Sequence, residues 1–349
     1  MPADLPRTAD YFTAQLRTLS LRMRGAVLHG LRATSAEELA MPVGDRGGDT
    51  IYRLDEHGEG VLLAFCEEWS RELPLLLVAE GLEGGSRAFP SGAGAPPPAF
   101  TLIVDPIDGT RGLMYGKRSA WALFGVAPPP STGYYPTLAD ISVALQAELP
   151  TVRAALADLL WAARGQGVQG ETHDLRDGAV TSFTPRPSRA ATLLGGFAAI
   201  SKFFPGAKAA AAAIEEQLYL ELLGPPPTES PQVFDDEYIC SGGQLYELMV
   251  GHDRFLADLR PLLHPAADGM PRLTCHPYDL CTELIAREAG VIVTDAAGRP
   301  LAAPLDTTSS VSWVGYANPA LQRAIEPVLQ RLLRQHSDRA SKGADACTA

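Results

Sequence analysis

"TLIVDPIDGTRGLMYGKRS", residues 101–119, places two aspartates, a proline, a glycine and a threonine within six positions behind a run of strand-forming residues. The apolar strand carries Asp105 to its end. Pro106 withdraws a backbone donor and fixes its own φ, while Gly109 lets the chain turn sharply. Such a turn aims the Asp105 and Asp108 carboxylates and the Ile107 carbonyl at one point, and these are the hard oxygens that Mg²⁺ takes. The next amides, of Gly109 and Thr110, are placed to bind a phosphate oxygen. The cations Arg111, Lys117 and Arg118 follow directly.

Those cations stand out because the chain of 349 residues has a formal net charge of −12. The acidic balance argues against nucleic acid or anionic membranes as partners, so a basic patch here is local and aimed at a small anion. The length supports a large core and suggests two lobes. With 46% hydrophobic and 20% charged residues the composition is that of a soluble globular protein. No apolar run approaches the roughly 18 residues of a membrane span. "MPADLPRTADYF" lacks the layout of a signal peptide. The five scattered cysteines form no disulfide framework. The expectation is a cytoplasmic protein, with a homodimer left open.

Along the chain, Phe12, Leu16, Leu19, Met23, Val27 and Leu31 recur at helical spacing. A Gly- and Asp-rich loop, "VGDRGGDTIYRLD", precedes a second helix bearing Val61, Phe65, Trp69 and Leu73. "LPLLLVAE" reads as a buried strand ending at Glu80, and "FTLIV" as the next, ending at Asp105. Segments near 121–127, 140–149 and 157–163 read as further strands. "TPRPSR" near 185 marks a lobe boundary, so an N-terminal lobe spans 1–185 and a C-terminal lobe 186–335. In the second lobe the stretch from 251 to 273 reads as an insertion. "YDLCTELIAREAG" reads as a helix stopped by Gly290, and residues 336–349 as a disordered tail. Strands interleaved with helices give a mixed α/β class.

Glu80 ends a strand, as Asp105 does, and strand ends in α/β folds line one crevice. Asp279 starts a helix, where capping and metal ligation are compatible roles. Asp49 and Asp55 sit in the Gly-rich loop, with surface and metal roles both open. "GQGVQG" fits a dinucleotide pattern through Gly165, Gly167 and Gly170, but "ETHDLRDG" follows it and favours a hairpin. Cys275, His276 and Cys281 lack the pairing of a structural zinc site and read as buried thiols.

Together these segments resemble the inositol monophosphatase family, within the Mg²⁺-dependent, lithium-sensitive phosphatases that include fructose-1,6-bisphosphatase and 3′-phosphoadenosine-5′-phosphate phosphatase. "DPIDGT" is that family's signature and fits without mismatch. "DTIYRLD", "VAEG" and "YDLCTELIAREAGVIVTDAAG" resemble its other acidic segments, in the family's order, over roughly residues 10–330. The resemblance implies an α-β-α-β-α sandwich and hydrolysis of a small phosphorylated metabolite assisted by several Mg²⁺ ions. It implies metal ligation by Glu80, Asp105, Ile107, Asp108 and Asp279. It also implies catalytic work by Glu80, Thr110 and Asp55, with the phosphate on Gly109, Thr110 and Arg111, where Lys117 or Arg118 would assist.

The departures concern the substrate. Gly81 stands where many members carry a second glutamate, "RGLMYG" replaces the usual continuation, and Tyr278 replaces a tryptophan. Where the family has an inositol-binding glutamate, "PRLTCHPY" offers Arg272 and no acid, which points to a substrate with a second acidic group. Inositol phosphate, sugar phosphate such as fructose 1,6-bisphosphate, and 3′-phosphonucleotide all stay open. From another class, so does a binding or regulatory protein that kept the fold and lost turnover.

Overall fold

The computed structural model describes residues 5–46, 49–227, 230–263 and 274–347. Helix α1 (Ala9–Ala33) starts at Thr8, whose hydroxyl accepts from the Tyr11 amide at 3.4 Å. It buries Phe12, Leu16, Leu19, Met23 and Val27. Each such side chain contributes about 1.5–3 kcal/mol of apolar transfer. The short α2 (Ala36–Leu39) and a ribbon of β1 (Pro42–Arg46) and β2 (Asp49–Tyr52) lead into α3 (Arg53–Trp69).

A large sheet follows, built from β3 (Leu75–Ala79), β4 (Ser86–Phe89), β5 (Phe100–Asp108), β6 (Ala120–Ala127), β7 (Val143–Leu149), β8 (Leu156–Ala163), β9 (Val168–Asp174) and β10 (Val180–Phe183), with α4 (Thr110–Met114) after β5. Its strands lie in the order β10-β9-β8-β7-β6-β5-β3-β4. Every pairing is antiparallel except β3 with β5. Phe100, Leu102 and Val104 point into the layer of α1 and α3, and Ile103 points the other way. By the same period of two, Asp105 shares the face of Ile103.

The chain then forms β11 (Gly196–Ile200), α5 (Lys208–Leu223), β12 (Val233–Phe234), α6 (Ser241–Met249), β13 (Asp253–Asp258), α7 (Arg260–Leu263), a 3₁₀ turn at Pro277–Leu280, α8 (Glu283–Ala289), β14 (Ile292–Asp295), β15 (Trp313–Tyr316) and α9 (Pro319–Cys347). The five strands make a second sheet in the order β12-β11-β13-β15-β14. Helices α6 and α8 pack between the two sheets, while α5 and α9 cover the outer face of the second. The protein is therefore a mixed α/β sandwich layered α-β-α-β-α.

Three local readings change. The stretch expected as an insertion from 251 opens with β13, which sits at the centre of the second sheet between β11 and β15. Its charged ends, Asp253 and Asp258, had masked a strand whose middle, Phe255–Ala257, is buried. The tail expected to be disordered continues α9 as far as Cys347. The strand at "FTLIV" does not stop at Asp105 but runs to Asp108.

"GQGVQG" spans the turn from β8 to β9 and the first three residues of β9. There the Gly165 and Gly167 amides each donate to the Glu288 carboxylate at 2.8 Å. The Gly-rich turn thus cradles an anion of the chain itself, pinning α8 to the large sheet. Among the described residues, no helix is long and apolar enough to cross a membrane.

Candidate active site

Asp105 pairs with Leu123 and Asp108 with Trp121, so β5 carries one more residue than β6 over this interval. That bulge matters. In an unbroken strand, positions 105 and 108 would face opposite ways; the extra residue at Pro106-Ile107 turns both carboxylates to the same side. Asp105 Oδ1 accepts from the Ile107 amide at 3.0 Å, which fixes its rotamer. Gly109 then takes φ 101°, a left-handed conformation that suits glycine, and α4 begins at Thr110.

Asp279 arrives from the 3₁₀ turn between α7 and α8, where its carboxylate accepts from the His276 amide. One oxygen each from Asp105, Asp108 and Asp279 comes within 4.8 Å of the others. Asp105 and Asp108 are buried, at 1% and 7% exposure. Burial, with the charges of Glu80, Asp108 and Asp279, holds the Asp105 carboxyl well above the usual carboxylate range. Burial and the Asp279 charge push Asp108 up likewise, against the opposing Gly242 and Ser241 amides and the Cys240 thiol. Burial raises Asp279 to about 6, countered by His276 and Arg260.

Repelling carboxylates held this close and this dry fit a bound cation, which removes the repulsion and replaces lost water. Every donor in the triad is an oxygen. Burial pushes up the neighbouring thiols of Cys240, Cys275 and Cys281, which disfavours their thiolate forms, so the set suits a hard ion.

Beside the triad, α3 brings Asp55 in its first turn. Asp55 Oδ2 accepts from the Tyr52 amide and Oδ1 from the Thr110 hydroxyl, both at 2.8 Å. The same hydroxyl lies 2.9 Å from the Ile107 carbonyl. Gly58, one turn further along α3, faces Pro106 and Ile107, where an added Cβ would come to 3.4–3.6 Å, an ordinary contact. Glu80 directly follows β3 and receives the Tyr278 hydroxyl at 3.5 Å.

A cavity of about 780 Å³ opens over these groups, lined by Asp55, Glu80, Asp105, Ile107, Asp108, Gly109, Thr110, Arg111 and Asp279. Glu80 is on its wall but not in the tight triad. Arg111 sits over the Tyr52 ring at 5.4 Å. Arg118 turns away to pair with Asp236 and caps the Tyr238 ring, and Lys117 is exposed; neither lines the cavity. The side chain of Asp49 and the whole of Arg272 lie outside the described residues.

Further wall residues had no local signal: Phe203 and Phe204 after β11, Ile239, Arg260 at the start of α7, and Thr307 and Thr308 before β15. The "SGGQ" stretch that opens α6 was a signal in plain view. Its Gly242 amide donates to Asp108 Oδ2 at 2.6 Å.

No protein-family model and no curated protein matches the chain. Solved structures do. Fructose-1,6-bisphosphatase from Leishmania major aligns over 97% of this chain and 99% of its own, at 16% identity and TM-score 0.62. The extragenic suppressor protein suhB from Bartonella henselae aligns over 92% and 98%, at 15% identity and TM-score 0.60. A Pyrococcus horikoshii protein described as having similarities for inositol-1 monophosphatase aligns over 94% and 98%, at 15% identity and TM-score 0.59. The chain has the inositol monophosphatase and fructose-1,6-bisphosphatase fold. In that fold the acidic triad lies where the end of β5 meets the turn before α8, between the two sheets.

Proposed function

We propose that this chain is a Mg²⁺-dependent phosphomonoesterase acting on a small phosphorylated metabolite. The observation that carries the reading is the buried triad of Asp105, Asp108 and Asp279 opening on the same cavity as the Thr110–Asp55 pair. The triad would hold the metal, helped by Glu80 and the Ile107 carbonyl. When bound, Mg²⁺ supplies charge for the phosphoryl oxygens and lowers the pKa of a coordinated water. The amides of Gly109 and Thr110, with Arg111, would hold the phosphate. Thr110 donates to Asp55, which would leave its oxygen lone pairs to accept a proton from water, and Glu80 would orient that water.

Phosphate release from a panel of phosphomonoesters, with and without millimolar Mg²⁺, tests this directly. Mg²⁺-dependent release from at least one ester is the expected result. No release from any would favour a binding protein that kept the fold.

Two further outcomes follow. Li⁺ at roughly tens of millimolar, on the scale of ordinary salt, lowers the Mg²⁺-dependent rate when NaCl at equal ionic strength does not. A rate unmoved by Li⁺ counts against close kinship in mechanism. The second outcome concerns Gly242. A methyl group there would meet Leu123 Cδ2 at 2.7 Å and Asp108 Oδ2 at 3.0 Å. Leu123 is fully buried and cannot retreat freely. Gly242→Ala therefore costs about 1–3 kcal/mol of stability and displaces Asp108, raising the Mg²⁺ needed for half-maximal rate by roughly tenfold. An unchanged Mg²⁺ titration in the variant would remove Asp108 from the metal site.

A further inference from the structure

Strand β7 carries an amide among apolar side chains. In "VALQAELP", Gln146 is fully buried between Leu145 and Ala147. It pairs with Leu123 of β6, which itself pairs with Asp105 of β5, so Asp105, Leu123 and Gln146 form one row on the inner face of the large sheet. An amide buried so fully is costly unless both its ends are bonded, and here both are. Gln146 Nε2 donates to the Gly242 carbonyl of α6 at 2.7 Å. A carbonyl can only accept, which assigns the nitrogen to that side and leaves the oxygen for a donor. That donor is the buried Thr282 hydroxyl, 3.1 Å from Oε1 and directly ahead of α8.

Both partners belong to segments that complete the acidic triad. Gly242 is the residue whose amide donates to Asp108 Oδ2 at 2.6 Å. Thr282 lies three residues after Asp279 and closes the turn that carries it into the site. Each precedes or opens a helix packed between the two sheets, whereas Gln146 belongs to the large sheet with Asp105 and Asp108. One side chain thus spans α6 and α8 and ties both to the row that ends on Asp105. The other buried amide of this region is bonded differently: Gln244 Nε2 of α6 donates to Ser201 Oγ at 2.9 Å, just after β11 of the second sheet.

We propose that Gln146 is a positioning residue for the metal site: by holding the Gly242 carbonyl and the Thr282 hydroxyl it sets the separation of Asp108 from Asp279, and through it the affinity for Mg²⁺. The proposal rests on the metal role given to the triad above and adds a residue that does not line the cavity. Without an ion the three carboxylates repel one another, and α6 and α8 are the parts that can yield. A bond from the sheet to each helix resists that spreading. Ligands already held at their working separation lose little freedom when the ion arrives, so the clamp is felt as affinity.

The test measures the Mg²⁺ Kd by titration calorimetry and the melting temperature in chelator. Leucine is close to glutamine in size and makes neither bond. Gln146→Leu is expected to raise the Kd about tenfold or more, the usual effect of losing an outer partner of metal ligands. Thr282→Val raises it by a smaller factor, about threefold or more, and Thr282→Ser, which keeps the hydroxyl, returns it to the wild-type value. Gln244→Leu controls for the loss of a buried amide as such: it lowers the melting temperature in chelator and leaves the Kd unchanged. A folded Gln146→Leu protein with the wild-type Kd, or a Gln244→Leu protein whose Kd rises as much, overturns the proposal and leaves the metal reading standing. If Gln146→Leu does not fold, the Thr282 pair decides: an unchanged Kd in the valine variant, or an equal rise in the serine variant, overturns it. Wild type that binds no Mg²⁺ overturns both.

Discussion

Asp105→Asn lowers Mg²⁺-dependent turnover by about a thousandfold or more, the several kcal/mol that loss of a charged metal ligand removes from the transition state. Asparagine keeps the shape but offers a neutral oxygen and a nitrogen donor turned on its neighbours. Asp108→Asn has the same effect, with one difference: a carbonyl oxygen in place of Oδ2 can still accept from the Gly242 amide, so that contact survives. The fold survives in both variants for an electrostatic reason. Each aspartate is buried among like charges, and deleting one charge relieves repulsion in the metal-free protein. Metal-free Asp105→Asn is therefore expected to melt no lower than metal-free wild type.

Mg²⁺ separates the two proteins. Ligand at a hundred times its Kd stabilises the folded state by about 2.7 kcal/mol, a shift of a few degrees in a chain of this size. Wild type gains that shift and the variant does not. Melting curves with Mg²⁺ and with chelator, alongside kcat/KM, check both halves. Mg²⁺-dependent activity close to wild type in either variant would sink the metal assignment.

Thr110→Val produces the second large loss, with kcat falling about 10²–10³-fold, the usual worth of a positioned proton acceptor. Valine matches threonine in shape but leaves Asp55 Oδ1 and the Ile107 carbonyl without the hydroxyl that lies 2.8 and 2.9 Å from them. Loss of such a hydroxyl from buried acceptors costs about 1–3 kcal/mol of stability. Mg²⁺ protection in the melting curve stays near wild type, since the triad is untouched, and Thr110→Ser recovers most of the rate. Asp55→Asn combined with Thr110→Val is expected to be barely worse than either alone, because the two act as one relay. Losses that multiply in the double variant would show that the pair does not work as a unit.

Much of this was legible in residues 101–119. The apolar run of β5, buried from end to end, and the Asp-Pro-Ile-Asp run that brings two carboxylates to one face, are local events decided by neighbouring residues. So is the stripe from Phe12 to Val27, which commits α1 to the core at helical spacing. The direction of the Asp108 carboxylate was legible only in part: the motif implies a turn, whereas the structure builds a bulge within the strand, and the difference lies in pairing with β6.

The rest depended on distance in space. Asp279 joins Asp105 and Asp108 only because α8 is clamped between the sheets, and no local pattern encodes that approach. Strand β13 was hidden because its ends are charged; Asp258 is tolerated inside only because Arg260 closes on it, a pairing visible once the chain turns after the strand. Phe203, Phe204 and Ile239 read as ordinary apolar residues in sequence. It is the cavity that gives them a common surface. Backbone preference and periodicity over a few residues settle the carboxylate motif, the helical stripes and the mixed α/β class, while the layered sandwich came from the resemblance. Tertiary structure alone decided which acids meet, which cations turn away and which side chains line the cavity, because burial and charge depend on neighbours that the chain brings together only by folding.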